Sequence, residues 1–248
     1  MQQASELHEE AIDTWYQWME YHWHQGEHVL LCGPTGTGKT TVAHTLLDVR
    51  EYVCVLAVKM HDDTIKRFQE GEKYGRKRYT LIRKWPPDYP TKRVIFWPKP
   101  TSITSDGEQS QLLFRALNSM YLSGGWTPYF DEAGYISGSL GLGKALGVLL
   151  NQGRSSNISV VATVTRASSV IARVPKEAMS QCRHILIFKT KNEDEIKTLA
   201  SIVGVGAHQM KYLLSLLEYH PAGNGKTYSD FLYFGESGFR IIRTGKAA

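Results

Sequence analysis

The chain has 248 residues, 42% hydrophobic and 21% charged, with a net charge of +5. That composition excludes a disordered or fibrous protein and allows a sizeable core. The charge is unevenly placed: residues 1–28 carry six acids and no Lys or Arg, whereas residues 59–99 carry twelve bases against five acids. An acidic arm thus masks a basic body, which permits a nucleic-acid partner without requiring one.

Cys32, Cys54 and Cys182 have no disulfide or metal-ligand spacing, and the first two lie in apolar runs, so they read as buried hydrophobes of a reducing compartment. No apolar stretch approaches the roughly 18 residues of a membrane span. The acidic N-terminus does not read as a signal peptide. The expectation is a soluble protein of the cytoplasm.

In chain order, Leu7, Ala11, Ile12, Trp15, Trp18 and Met19 predict an amphipathic helix over residues 4–24, capped near Ser5. His28–Cys32 predicts a strand, followed by a Gly-rich turn, a helix over Thr40–Leu47 and a buried strand over Tyr52–Val58. Residues 59–92, rich in Lys, Arg, Tyr, Gly and Pro, interrupt this alternation with a short helix near Asp63–Gln69 and a loop through Trp85–Pro87. They read as a basic insert, an excursion from one domain. The pattern resumes with a strand over Arg93–Trp97, a helix over Gln109–Tyr121, a strand over Thr127–Asp131 and a helix over Leu142–Gln152. A strand over Ile158–Val164, a short helix after Pro175 and a strand over His184–Phe188 follow. Helices over Asp194–Ile202 and Ala207–Leu217 precede a terminal hairpin of Tyr228–Phe234 and Phe239–Arg243. Unbroken apolar strands alternating with helices predict an α/β fold with a parallel sheet covered on both faces. The division expected is a helical arm, 1–26, and one domain, 27–248.

Gly33, Pro34, Thr35, Gly36, Thr37, Gly38, Lys39 and Thr40 satisfy G-x-x-x-x-G-K-[ST] between a predicted strand and a predicted helix. Glycines there let backbone N–H groups converge on phosphates, and the helix N-terminus adds positive potential. Lys39 would reach the β- and γ-phosphates of ATP, Thr40 would ligate Mg²⁺, and Thr41 would complete the cradle. Asp131 ends the strand at 127–131, where a carboxylate can hold the same ion. Glu132, next along the chain, can polarise an attacking water. A plain helix start would also favour two acids, but the upstream loop tips the balance to catalysis. An Asp-Glu pair also suits an ATP hydrolase better than a kinase.

Asp131-Glu132-Ala133-Gly134, Gly153-Arg154-Ser155-Ser156-Asn157-Ile158 and Val161–Arg166 together resemble the FtsK/HerA group of DNA-pumping ATPases, which includes viral and phage genome-packaging ATPases. Val174-Pro175, Gln181–His184, Ile187-Phe188 and Asn192–Asp194 resemble that family's closing strand and helix. The resemblance implies a P-loop NTPase domain of the RecA-like, additional-strand type, with a central mostly parallel sheet flanked by helices. It implies a homo-oligomeric ring, a hexamer, in which Arg154 serves as a finger in the neighbouring subunit's site. Thr165 falls where the family has a Gln that senses the γ-phosphate; being shorter, it would need a water, or help from Gln152 or Arg166. The activity implied is ATP hydrolysis coupled to translocation of double-stranded DNA, most like a motor that pumps a viral genome into a capsid. Its partners would include a capsid vertex or membrane-associated viral protein, and its location the host cytoplasm or the virion. The alternatives are a morphogenesis or secretion-assembly ATPase that moves protein, and a nucleotide-binding scaffold without a motor; Glu132 argues against the second.

Lys73–Tyr79 (KYGRKRY) and Arg83-Lys84-Trp85 interleave cations with aromatics, so Arg76, Lys77, Arg78, Arg83 and Lys84 are candidate DNA contacts. A solvated loop is the plain alternative. His24 and His28 have i,i+4 spacing, but Gly26 interrupts the helix and they read as polar caps, not metal ligands. Trp15, Trp18 and Trp23 are expected to pack on the sheet or on a neighbouring subunit.

Overall fold

The computed structural model describes residues 8–245 apart from 62, 89, 103, 168–173, 175–178, 222–226 and 237. Its centre is a ten-stranded sheet in the order β1-β12-β11-β8-β2-β7-β6-β3-β5-β4. The strands are β1 (Glu9–Ala11), β2 (Val29–Cys32), β3 (Val53–Leu56), β4 (Thr80–Ile82), β5 (Arg93–Phe96), β6 (Thr127–Phe130), β7 (Val161–Val164), β8 (His184–Phe188), β11 (Phe231–Gly235) and β12 (Gly238–Arg243). From β8 through β4 all neighbours are parallel. Only β11 runs against its neighbours, β8 and β12. Two short strands, β9 (Tyr219–Pro221) and β10 (Thr227–Ser229), form a separate antiparallel hairpin.

Helices cover both faces because the central strands are apolar on both. On one face, Leu30, Cys32, Cys54, Leu56 and Phe96 meet α4 (Asp106–Ser123), α6 (Gly143–Gln152), α7 (Glu193–Val203) and α8 (Ala207–Ser215). The alternate residues Val29, Leu31, Val53, Val55 and Ile95 meet α1 (Ile12–His22), α2 (Lys39–Leu47) and α3 (Asp63–Gln69). One-residue alternation thus sorts each strand between two cores, the arrangement expected of a sandwiched parallel sheet. A short α5 (Ala133–Gly138) follows β6. All three cysteines are free and buried.

The structure corrects several sequence expectations. The N-terminal helix begins at Ile12, not near residue 4, because Glu9–Ala11 pair in parallel with Ile241–Arg243 as an edge strand. Ser5 lies outside the described residues. Residues 9–23, set apart by sequence as an arm, are built into the domain: Trp15 and Met19 are fully buried, and Trp15 stacks edge-on against Phe231 and Tyr233. Two of the arm's acids pair internally, Glu10 with Arg240 at 2.9 Å and Glu9 with Arg243 at 2.5 Å. The basic insert is not a pure excursion, since it contributes edge strand β4. The terminal hairpin starts at Phe231; Tyr228 belongs to the β9–β10 hairpin instead. The expected helix after Pro175 falls outside the described residues.

Among the described residues no group of His, Cys, Asp and Glu could hold a metal ion as a cluster of three. His28 is buried, with Nδ1 accepting from the Val160 N–H at 3.0 Å, and burial pushes its pKa down to about 4. It is a neutral structural histidine. No helix among the described residues is long and apolar enough to cross a membrane.

Candidate nucleotide site

All parallel strands point their C-terminal ends at one edge of the sheet, and the loop Gly33–Gly38 crowns β2 there. Its two outer glycines are demanded by crowding. A Cβ on Gly33 would lie 2.7 Å from the Phe188 Cβ, and one on Gly38, whose φ is +96°, 3.2 Å from the Tyr228 Cβ. Thr37 Oγ1 donates to the Pro34 carbonyl at 2.9 Å and pins the loop, while Thr35 and Gly36 form its exposed tip. Helix α2 starts at Lys39 with no side-chain cap. Its first N–H groups are therefore unspent and converge with the dipole on the loop's concavity.

Lys39 is buried, and its ammonium donates to the carbonyls of Gly33 at 2.6 Å and Pro34 at 2.7 Å. Burial pushes its pKa down to about 8, with the carboxylates of Asp131 and Glu132 among the groups opposing that shift. Thr40 Oγ1 donates to Asp131 Oδ1 at 3.0 Å, and the Tyr129 hydroxyl donates to the same oxygen at 2.5 Å. From β7, between β2 and β6, the Thr163 hydroxyl donates to the Asp131 carbonyl. Asp131 is thus fixed from three elements. A hydroxyl and a carboxylate in contact are the hard oxygen donors that suit Mg²⁺. Glu132 lies beside them at the same edge, its carboxylate 2.5 Å from the Lys59 ammonium.

Sequence reasoning did not single out Lys59, Tyr129 or Thr163. Thr163 carried a weak signal, as one of two hydroxyls, with Ser159, inside the apolar run ISVVATV. Lys59 and Tyr129 carried none, because nothing local tells which carboxylate a distant cation or phenol will meet.

Thr165 follows β7 at this same edge and is exposed, as is Arg166. Thr41 is exposed on α2, and its Oγ1 accepts from Arg67 Nη1 at 2.9 Å. Arg154 is elsewhere. It lies in the 3₁₀ turn Gly153–Ser156 ahead of β7, against Gly26, whose added Cβ would sit 3.2 Å from the Arg154 carbonyl. That is the N-terminal edge of the sheet, so the length of β2, about 13 Å at 3.3 Å per residue, separates it from its own loop. Gln152, whose Oε1 accepts from the Tyr121 hydroxyl at 3.1 Å, is at that far edge too and cannot stand in for Thr165 within one chain.

The basic segment splits. Arg76 Nε donates to Thr45 Oγ1 at 3.1 Å, and Lys77 Nζ donates to the Asp48 carbonyl at 2.7 Å, so both brace the end of α2. Arg83 stacks over the Trp97 ring at 4.0 Å. Arg78 and Lys84 are exposed. Two of its aromatics are not free to meet bases: Tyr79 is 1% exposed among Phe68, His44 and Arg93, and Trp85 packs on Phe96 and Trp126.

Comparison with protein-family models and with curated proteins gives no match. Solved structures do match. The genome-packaging NTPase B204 from Sulfolobus turreted icosahedral virus 2 in complex with AMPPCP has a TM-score of 0.62 at 12% identity, covering 89% of this chain and 98% of that one. The fold is that of the P-loop ATPases. B204, the DNA-packaging ATPase from Sulfolobus turreted icosahedral virus, matches at TM-score 0.57 and 15% identity, covering 90% of this chain and 99% of that one. VirB4 of Thermoanaerobacter pseudethanolicus matches at TM-score 0.55 and 11% identity over 89% of each chain. What is shared at such identities is the fold, a large, mostly parallel sheet flanked by helices.

Proposed function

We propose that the protein is an ATP hydrolase that translocates double-stranded DNA as a homo-oligomeric ring, a hexamer, packaging a viral genome into a capsid. The observation that carries the hydrolase reading is the convergence at one sheet edge of Lys39, the Thr40–Asp131 contact and Glu132. The loop N–H groups and Lys39 bind the triphosphate, whose oxygens displace the Gly33 and Pro34 carbonyls from the ammonium. Thr40 and Asp131 would hold Mg²⁺, whose positive charge would offset that of the phosphates. Glu132 accepts a proton from water attacking the γ-phosphorus. For that its carboxylate has to leave Lys59. Thr165, exposed at the same edge, orients that water or the γ-phosphate through one hydrogen bond.

The ring reading is supported by Arg154. An exposed guanidinium about a strand's length from its own loop can reach only another chain's phosphates. The surface near it suits a subunit contact: α4 and α6 flank an apolar groove lined by Phe114, Leu117, Tyr121 and Leu149, with Phe114 51% exposed. The DNA reading is supported by the exposed Arg78 and Lys84 and by the matched B204 structures, which are of packaging ATPases. Contact through Arg78 and Lys84 is with phosphates, since the neighbouring rings of Tyr79 and Trp85 are packed against other side chains. A capsid-vertex or membrane-associated viral protein as recruiter, and residence in host cytoplasm or virion, complete the proposal.

The test is the ATPase rate with and without double-stranded DNA, alongside the particle mass with an ATP analogue bound. DNA-stimulated turnover by a ring is expected; a monomer indifferent to DNA overturns the motor. Charge reversal of Arg78 and Lys84 to Glu is expected to abolish stimulation and flatten its salt dependence. Those two positions avoid Arg76 and Lys77, whose loss would loosen α2.

A further inference from the structure

The loop, Lys39 and Asp131 account for the phosphates and leave the nucleoside without a seat. The γ-phosphate has to lie by Asp131 and Glu132, on the β6 side of β2. A triphosphate held along the loop therefore directs its nucleoside away from β6, towards β8 and the β9–β10 hairpin. That hairpin is fastened to the loop, for the Ser229 N–H donates to the Thr37 carbonyl at 3.2 Å, and the Tyr228 Cβ would touch any Cβ on Gly38 at 3.2 Å. Tyr228 pairs across the hairpin with His220, so both side chains share one face of the hairpin, and it is the Tyr228 Cβ that comes nearest Gly38 of the loop. Their rings are 5.3 Å apart, and Tyr228 is half-buried. His220 is held in turn, its Nε2 donating at 2.8 Å to Asp230, a fully buried carboxylate that also accepts from Arg243 and from the Thr244 N–H.

We propose that Tyr228, backed by His220, is the platform on which the nucleobase of the bound nucleotide stacks. The inference rests on the nucleotide reading above and adds to it the group that recognises the base. A half-buried ring whose backbone is tied to the phosphate loop is held beside the cradle, on the side towards which the nucleoside is directed. Stacking of a base on such a ring tolerates any base, so the subsite selects nucleotides over bare polyphosphates more than it selects adenine over guanine.

The test is calorimetric titration of the full chain with MgADP and, separately, with magnesium pyrophosphate, for wild type, Tyr228→Ala and Tyr228→Phe. The expected result is about 10-fold weaker ADP binding by Tyr228→Ala with pyrophosphate binding unchanged, and wild-type behaviour of Tyr228→Phe towards both. Unchanged pyrophosphate binding also shows that the variant is folded and its loop intact. Undiminished ADP binding by Tyr228→Ala overturns the platform. Parallel loss of both ligands overturns it too, since Tyr228 would then only brace the loop, as does equal weakening by Tyr228→Phe, which would assign the effect to the hydroxyl. If wild type binds neither ligand, the nucleotide reading itself fails, a result distinct from the others.

Discussion

Thr40 and Asp131, ninety-one residues apart in the chain, meet at 3.0 Å, joining the first turn of α2 to the end of β6. The Tyr129 hydroxyl shares the same carboxylate oxygen. Asp131→Asn keeps the shape but removes the charge, so ATP hydrolysis is expected to fall by about 10²-fold or more while the thermal midpoint moves little. Steady-state ATPase assay beside thermal unfolding checks this; near-normal turnover in the variant would remove Asp131 from the site.

Glu132→Gln is expected to lower turnover by about 10²–10⁴-fold with nucleotide binding retained, as removal of a general base should. Lys59→Met acts the other way. Both side chains are over a third exposed (45% and 36%), and such ion pairs are worth about 0–1 kcal/mol, so freeing Glu132 raises basal turnover no more than about 5-fold. Single-turnover rates for both variants decide. A Lys59→Met variant slower than wild type would show that the lysine positions the base and does not restrain it.

Lys39 links nucleotide binding to pH. Burial holds its pKa near 8, and only the ammonium pairs with phosphate, so bound phosphates raise that pKa. Below pH 8 the group is already charged and contributes no pH dependence. Above pH 8 binding takes up a proton, and affinity falls towards a limit of about tenfold per pH unit. Calorimetry at pH 8.5 in buffers of different ionisation enthalpy measures the uptake, and an ATP-analogue affinity level from pH 7 to 9.5 would contradict it.

Arg154→Ala is expected to cost about 10³–10⁵-fold in ATPase rate without weakening nucleotide binding, since fingers act on the transition state. Mixing Arg154→Ala chains with Lys39→Ala chains is expected to restore part of the activity, because some interfaces then carry one intact loop and one intact finger. No recovery over any mixing ratio would argue against action in trans.

Trp15 is fully buried between α1 and the β11 ring pair of Phe231 and Tyr233. Trp15→Ala is expected to destabilise the whole domain by about 3–5 kcal/mol in a single transition. Denaturant unfolding followed by far-ultraviolet dichroism measures it. A loss confined to a separate early transition would mean that the N-terminal segment is an independent arm.

By itself the sequence determined what depends on neighbours along the chain. Strand and helix alternation, the Gly33–Thr40 loop and the acids ending β6 are local patterns, because backbone geometry repeats every two or 3.6 residues and a phosphate cradle is one continuous turn. Tertiary structure decided what depends on residues far apart. Only the folded sheet shows that Tyr129 and Thr163 fix Asp131, that Lys59 meets Glu132, and that Tyr79 is core while Arg78 is surface. Only the fold separates Arg154 and Gln152 from Thr165 by the length of a strand, and only the fold draws Glu9–Ala11 into the sheet. The physical reason is that a parallel sheet orders its strands by crossover and not by sequence. Side chains tens of residues apart become neighbours, and which of two charges finds the other is fixed by burial and register, which no local pattern encodes.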